Sequence, residues 1–455
     1  MKRQLHLNLF IHGRGHHEAS WRHPDSSSLP LTDIRYYQDL AQRAEAALFD
    51  SIFFADQLAL GGDVAQAPRT WLEPITILAA LAAVTSRVGL IATASTTYTE
   101  PFNLARQFAS IDHISNGRAA WNIVTSWLAA AAENYGAAGQ VAHADRYARG
   151  EEFMEVVKAL WDSWATDAVI DDRAAGIYAR RGRLRPINHR GDFYTVAGPL
   201  NMPRCPQGRP VLVQAGSSDT GRRFAARHAD AVFTAHMAKA TAQDFYADLK
   251  TLAAAEGRLP EQTLILPGLC PMIAGTETEA QRLAREVNEL TDPEVGRKRL
   301  SGRFGGYDFS HLPLDRPLSA ADFPDPASVE AARSRTEVIL NLVKRDQPTL
   351  RQLLGYLAGA RGHFVTAGTP EQIAELIEDW FTDAAADGFN IMPPLLPAQL
   401  DVFSAEVIPI LQQRELFRTE YTGTMLREHY GLPWPASVFD NPAWTAELQD
   451  GVAGV

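Results

Sequence analysis

Short apolar runs alternate with longer amphipathic stretches over most of the chain. Leu5–Phe10 (LHLNLF) is an apolar run broken by His6 and Asn8, which reads as a first strand. Asp33–Leu48 then spaces its apolar residues as an amphipathic helix does. Ser51–Ala55 is a second strand, ending in Asp56, and Glu73–Thr85 a helix with Pro74 in its first turn. Arg87–Ala92 is a third strand, running into the hydroxyl-rich Thr93, Ser95, Thr96 and Thr97. Helix Pro101–Ile114 and the turn Asn116-Gly117 lead to a fourth strand, Ala119–Val124, whose end carries Asn122, Thr125 and Ser126. A long helix around Arg149–Ser163 follows. Pro210–Gln214, Ala231–Thr234, Leu264–Ile273 and Phe389–Met392 complete eight strands. Helices Gly221–Arg227, Thr241–Glu256 and one from Thr369 to Asp387 lie between them.

Eight strands alternating with helices predict an α/β fold of the parallel (β/α)8 TIM-barrel type. A doubly wound sheet is the alternative, but its Gly-x-Gly-x-x-Gly fingerprint is absent after the first strand, where the chain reads Phe10-Ile11-His12-Gly13-Arg14-Gly15-His16-His17. Two stretches break the rhythm. Residues 165–209 are rich in Arg, Gly and Pro, with a hairpin near Gly191–Val196. Residues 275–363 hold helices at 279–290, 327–345 and 349–357 around a Gly-, Phe- and Pro-rich segment, 301–326. Both read as insertions into one barrel domain spanning 1–455, which ends in helices from Leu400 to Arg414 and beyond. The 275–363 insertion after strand seven is either an active-site lid, with Gly302, Gly305 and Gly306 as hinges, or a packing or dimer element.

Composition narrows the function. The chain has 455 residues, 46% hydrophobic and 21% charged, ordinary for a protein with a large core. A net charge of −11 argues against a nucleic-acid or anionic-membrane surface. Cys205 and Cys270 are the only cysteines, which rules out a disulfide scaffold or cysteine zinc site and suits the cytoplasm. No apolar run approaches the length of a membrane span.

The catalytic face of such a barrel lies at the C-terminal ends of its strands. Those ends carry Asp56, Thr93, Asn122, Thr125, Ser126, Ser217, Ser218 and His236. His143 and Tyr147 stand four apart at the start of a helix, which places them on one face, about 5–6 Å apart at Cβ. Each residue alone has an ordinary explanation as a turn, a cap or a strand position. Their recurrence at successive strand ends points to a ligand ring with few charges, suited to a neutral, hydrogen-bonding ring system. Gly216-Ser217-Ser218 before a helix is a candidate phosphate seat, with Arg222 and Arg223 a turn further on. There is no zinc spacing, no Gly-x-Ser-x-Gly elbow and no Gly-Lys-Ser/Thr phosphate loop, so no metal is expected.

Several segments together resemble the bacterial luciferase-like flavin-dependent monooxygenases. Within them the chain is similar to the branch of nitrilotriacetate monooxygenase component A, dibenzothiophene-sulfone monooxygenase and the pristinamycin IIA synthase large subunit. The segments are Gly15-His16…Trp21-Arg22-His23-Pro24, Phe53-Phe54-Ala55-Asp56, Ala92–Tyr98, Trp121–Ser126, His143-Ala144-Asp145-Arg146-Tyr147, Gln214–Ser218, Gly368–Ala374 and the tail Glu420-Tyr421…Gly431-Leu432. Met425 stands where the family's tail usually has Thr. The resemblance implies reduced FMN bound by Asp56, Thr93, His143, Tyr147 and Ser218, with Ser217 beside them. It places Asn122 near the flavin's reactive edge. His16, on the first loop with His12, His17, Trp21 and His23, would face the substrate and is a candidate catalytic group. The implied partners are a separate NAD(P)H:flavin reductase, O2 and a small organic substrate. The expected state is a homo-oligomer, dimer or tetramer. A deazaflavin-dependent oxidoreductase and a non-catalytic flavin-binding subunit stay open as alternatives. An anionic substrate would call for Arg14, Arg22 or the arginines at 180–185.

Overall fold

A computed structural model describes residues 3–60, 64–65, 68, 70, 72–126, 129–136, 142–325, 333–360 and 362–440. The first four strands are β1 (His6–Ile11), β2 (Ser51–Phe54), β3 (Gly89–Ser95) and β4 (Ala119–Val124). Two hairpins follow, β5 (Val169–Asp172) with β6 (Ile177–Ala179) and β7 (His189–Arg190) with β8 (Thr195–Val196). Then come β9 (Val211–Gln214), β10 (Ala231–Thr234), β11 (Leu264–Ile273), β12 (Phe364–Gly368) and β13 (Gly388–Ile391). Strands β1, β2, β3, β4, β9, β10, β11 and β13 pair in that order, all parallel, and β13 closes on β1. The eight-stranded barrel expected from the sequence is therefore present.

Helices α1 (Ile34–Ala46), α2 (Pro74–Ala82), α3 (Pro101–Ile114), α4 (Ala129–Asn134), α5 (His143–Trp161), α6 (Asp219–His228) and α7 (Lys239–Ala255) follow the strands in turn. Their starts are written locally. Asp33 accepts from the Arg35 amide to cap α1, and Glu73 with Pro74 opens α2. Alternate strand residues split the core in two. Leu7, Leu9, Ile52, Leu90 and Trp121 pack outward against helices, while Phe10, Phe53, Ile91, Ala120, Val213, Phe233 and Leu266 fill the barrel. Each large side chain so buried contributes about 1.5–3 kcal/mol.

The N-terminal end of the barrel is closed by the chain's own tail. Leu426, Tyr430 and Leu432 join the interior cluster. Tyr430 Oη donates to Asn8 Oδ1 (2.8 Å), Asn8 Nδ2 donates to Asn390 Oδ1 (3.2 Å), and Asn390 Nδ2 donates to the Leu266 carbonyl (2.9 Å). Beside this plug lies Asp50, wholly buried, which accepts from the Leu7 amide (2.7 Å), His6 Nδ1 (3.0 Å) and Arg418. Burial alone would raise its carboxyl, yet Arg418 and His6 hold it below the ordinary value.

The interruptions are richer than the sequence suggested. Residues 165–209 hold a second hairpin, β5–β6, whose exposed face left no hydrophobic alternation to read. The later insertion contains α8 (Glu277–Glu289), α9 (Pro293–Arg303), α10 (Arg333–Asp346) and α11 (Leu350–Ala360). The expected helix 327–345 begins within residues outside those described, and α9 was not expected at all, because its polar sequence PEVGRKRLSGR buries only Gly296 and Leu300. β11 is ten residues long because its second half, Leu269–Ile273, leaves the barrel to pair with β12. α12 (Pro370–Thr382), started by a Thr369/Gln372 capping box, returns the chain to β13. Among the described residues no helix is long and apolar enough to cross a membrane.

Candidate active site

Three phenylalanines form an apolar floor inside the barrel. Phe10 lies 4.4 Å from Phe53 and 5.4 Å from Phe233, ring centre to ring centre. Phe10 and Phe53 are register partners on β1 and β2. His363, from the insertion's return, stacks on Phe233 at 4.7 Å with the planes 4° apart. Sequence reading passed over this floor. The signal was the inward-facing aromatic one residue before the end of β1, β2 and β10.

Above the floor, β3 and β4 supply a polar wall. Thr93 and Asn122 are register partners. Thr93 Oγ1 donates to the Phe54 carbonyl (2.9 Å) and accepts from Asn122 Nδ2 (2.8 Å). This fixes the Asn122 amide and leaves its Oδ1 buried with no partner among the described residues. A buried acceptor without a donor costs about 1–3 kcal/mol, so the geometry suits a ligand N–H or O–H at this point. Asp56 stands two residues past β2. Its Oδ1 accepts from the Gln57 amide (2.8 Å), and burial, against that bond and with Glu73 nearby, pushes the carboxyl up to about 6. Tyr98 and Tyr135 stack beside this wall at 4.7 Å.

The opposite rim is the turn from β9 into α6. Ser218 caps α6 by accepting from the Gly221 amide (3.1 Å), and Gln214 Oε1 accepts from the Gly216 amide (2.7 Å). Tyr147, from α5, hydrogen-bonds with Ser218 and Thr125; burial raises its phenol, and those bonds pull it back. A Cβ on Gly221 would stand 3.0 Å from Tyr147 Oη and 3.1 Å from Ser218 Oγ, so any side chain there would push on this pair. Ser217 is half-buried and its carbonyl accepts from Arg222 (3.3 Å). Arg222 also pairs with Asp219 (2.8 Å) and Asp248 (2.7 Å), and Arg223 is exposed, so little net positive charge reaches the turn. His143 opens α5, and its side chain lies outside the described residues.

His16 is buried against the floor, 4.5 Å from Phe10, with Nε2 donating to the Phe10 carbonyl (2.9 Å). Gly15 just before it has φ +138°, and any Cβ would strike the Pro394 carbonyl oxygen at 2.1 Å. The insertion grips the rest of this loop. His17 Nε2 bonds Asn288 Oδ1 (3.0 Å), the Glu18 amide donates to the Ala358 carbonyl (2.8 Å), and Arg299 pairs with the Glu18 carboxylate. Burial brings His17 down to about 4. Arg303, one helical turn after Arg299, is pushed by burial down to about 10, and its enclosed Nη1 has no partner among the described residues. Of the arginines named from the sequence, Arg22 donates to the Leu290 carbonyl, Arg180 and Arg183 pair with Asp167, and Arg14 donates to the Leu29 carbonyl while its buried Nε has no partner among the described residues.

The structure thus brings Thr93 with Asn122, and Tyr147 with Ser218, around the same barrel mouth, with Asp56 on the next strand over. It holds no group of three or more metal-ligating side chains among the described residues. A parallel eightfold barrel with a weakly charged, hydrogen-bonding mouth above an aromatic floor fits a flavin-dependent oxidoreductase. The chain belongs to the luciferase-like monooxygenase family, whose model matches residues 12–388, and it is a flavin-dependent monooxygenase. It is 47% identical to N-acetyl-S-(2-succino)cysteine monooxygenase of Bacillus subtilis (strain 168), over 96% of this chain and 98% of that one. It is 44% identical to nitrilotriacetate monooxygenase component A of Aminobacter aminovorans, over 97% and 99%. A riboflavin lyase solved with modified FMN and riboflavin superposes with a TM-score of 0.83 at 30% identity, covering 96% of this chain and 98% of that chain. The monooxygenase names among the relatives favour the oxygenase reading over the deazaflavin alternative.

Proposed function

We propose that this chain is the oxygenating component of a two-component system. It takes reduced FMN from a separate NAD(P)H:flavin reductase and uses O2 to oxidise a small polycarboxylate substrate. The observation that carries the flavin reading is the buried Asn122 Oδ1, held toward the mouth by Thr93 and lacking a donor among the described residues. When bound, reduced flavin supplies the electrons that activate dioxygen; one oxygen atom enters the product and the other leaves as water. The chain's own task is positional. Thr93 and Asn122 would orient one edge of the ring, Tyr147, His143, Ser217 and Ser218 would hold the ribityl and phosphate end, and the phenylalanine floor would exclude water. His16 sits at the substrate side of that floor. The test is oxygen uptake with a flavin reductase, NADH, FMN and a panel of candidate substrates. Absence of FMN binding together with unperturbed oxidation of reduced flavin in air would overturn the reading.

Asp56 is the acidic member of this set. Its carboxylate form accepts a ligand hydrogen bond, and protonation removes one acceptor. Because its pKa is raised to about 6, FMN affinity is expected to fall as pH drops through that value. Flavin titrations between about pH 5 and 8 should show this, and Asp56→Asn should flatten the profile.

The substrate class follows from Arg303. A half-buried guanidinium in the insertion, one helical turn from the Arg299 that pairs with Glu18 of the first loop, is suited to a substrate carboxylate. The two relatives act, by their names, on N-acetyl-S-(2-succino)cysteine and nitrilotriacetate, both polycarboxylates. The insertion then serves as a lid on the substrate side. Arg303→Gln is expected to raise KM for such a substrate by about 10- to 100-fold, the cost of one charge-assisted contact, with FMN affinity unchanged. An equal loss toward an uncharged thioether would rule this assignment out.

A further inference from the structure

At the other end of the barrel lies a second cavity, of about 240 Å³, smaller than the roughly 300–1,000 Å³ of drug-sized sites. It is walled by the end of α5 (Lys158, Trp161, Asp162), the approach to β9 (Arg204, Arg209) and the tail at Pro435. Arg209 precedes β9 and Ser218 follows it, so the four-residue strand, about 13 Å long, separates the cavity from the mouth.

Its charges do not balance. The carboxylates within reach are already engaged. Asp162 accepts from Arg204, from Ser437 Oγ (2.7 Å) and from the Val438 amide (2.8 Å). Asp230 accepts from the Leu212 amide (3.0 Å) and faces Arg209 (3.7 Å), Arg258 (3.6 Å) and Arg427 (3.7 Å) together. Arg258 and Arg427 spend their remaining donors on backbone carbonyls. Arg204 and Arg209 each retain a buried Nε with no partner among the described residues. Lys158 donates to His228 Nδ1 (2.8 Å), and His228 donates its Nε2–H to Glu151 (2.6 Å). That arrangement needs His228 neutral, and burial lowers it accordingly. Four arginines and a lysine thus crowd around Asp162 and Asp230, with Glu151 and Asp112 acting from further off, in a chain whose net charge is −11.

We propose that this cavity is a binding site for a small multivalent oxyanion, with Lys158, Arg204 and Arg209 as its donors. The strongest support beyond the geometry is Lys158 itself. Burial first, then Arg209 and Arg258, bring its ammonium down to about 7 against the pull of Asp230 and Glu151. An anion in the cavity reverses that balance, so its binding is coupled to protonation of Lys158.

The test is calorimetric titration of the full-length protein with inorganic phosphate, sulfate and citrate. Wild type is expected to bind at least one of them saturably. Lys158→Met and Arg209→Gln should each weaken that binding by about tenfold or more, while Lys158→Arg keeps it. Sulfate does not titrate near neutrality. Its binding at about pH 8, compared in two buffers of different ionisation heat, should take up close to one proton in wild type and none in Lys158→Met. Ser218→Ala, at the flavin mouth, should leave this binding intact, which separates the cavity from any phosphate seat used by FMN. No saturable binding of any of the three anions, or equal binding by wild type and by folded Lys158→Met and Arg209→Gln, would overturn the proposal.

Discussion

Asn122→Ala should lower coupled turnover by about 100-fold while moving FMN affinity by less than about threefold. A hundredfold corresponds to about 2.7 kcal/mol. The wall survives the change, because Thr93 keeps its own bond to the Phe54 carbonyl. What disappears is a single oriented acceptor with its amide locked from behind. Such a group contributes to binding and far more to how the reacting edge is held, so its loss should appear as oxygen consumed without product. Oxygen uptake, hydrogen peroxide and product measured on the same samples give the ratio. If flavin affinity falls in step with turnover, Asn122 is a binding residue and the division of roles is wrong.

The second large effect concerns stability. Asp50→Ala strands Arg418 and His6 in a place with no water to receive them. Breaking a buried pair from one side typically costs about 3–5 kcal/mol. The double variant Asp50→Ala/Arg418→Met should recover part of that, since it removes the orphaned charge as well. Urea denaturation of the three proteins provides the comparison, and a double variant no more stable than the single one would refute it. The sign with pH is also set. A carboxyl held below its ordinary value contributes stability that is present above the ordinary aspartate range and is lost as pH falls through its folded value. Acid should therefore narrow the gap between wild type and Asp50→Ala.

The barrel was legible because most of its strands are short, apolar and bounded by helices with written starts, such as Glu73-Pro74 and Thr369-Pro370. Strand ends were legible for the same reason, which is how Asp56, Thr93, Asn122 and Ser218 could be named. Contacts made across hundreds of residues were not. Nothing near Asp50 in sequence announces Arg418, and nothing near β1 announces that His363 will return to cover the floor. α9 was missed because a helix that buries one leucine on a borrowed surface carries no periodic signal of its own. Arg303 was hidden with it, while exposed arginines such as Arg180 drew attention through mere abundance.

The tail that closes the barrel has a consequence for how the molecule is made. Leu426 and Tyr430 lie in the interior against residues of β1 and β3, which leave the ribosome long before them, Asn8 by 422 residues. A chain synthesised from its N-terminus can pair β1 through β4 as they emerge, but it has nothing to seal their lower end until the segment from Leu426 to Leu432 is made. At about 5–20 residues per second, the open bottom persists through most of synthesis. Translation that stops short of Leu426 therefore releases a barrel without a base, with Asn8, Asn390 and the surrounding apolar side chains facing water, and such products are targets for chaperones and proteases.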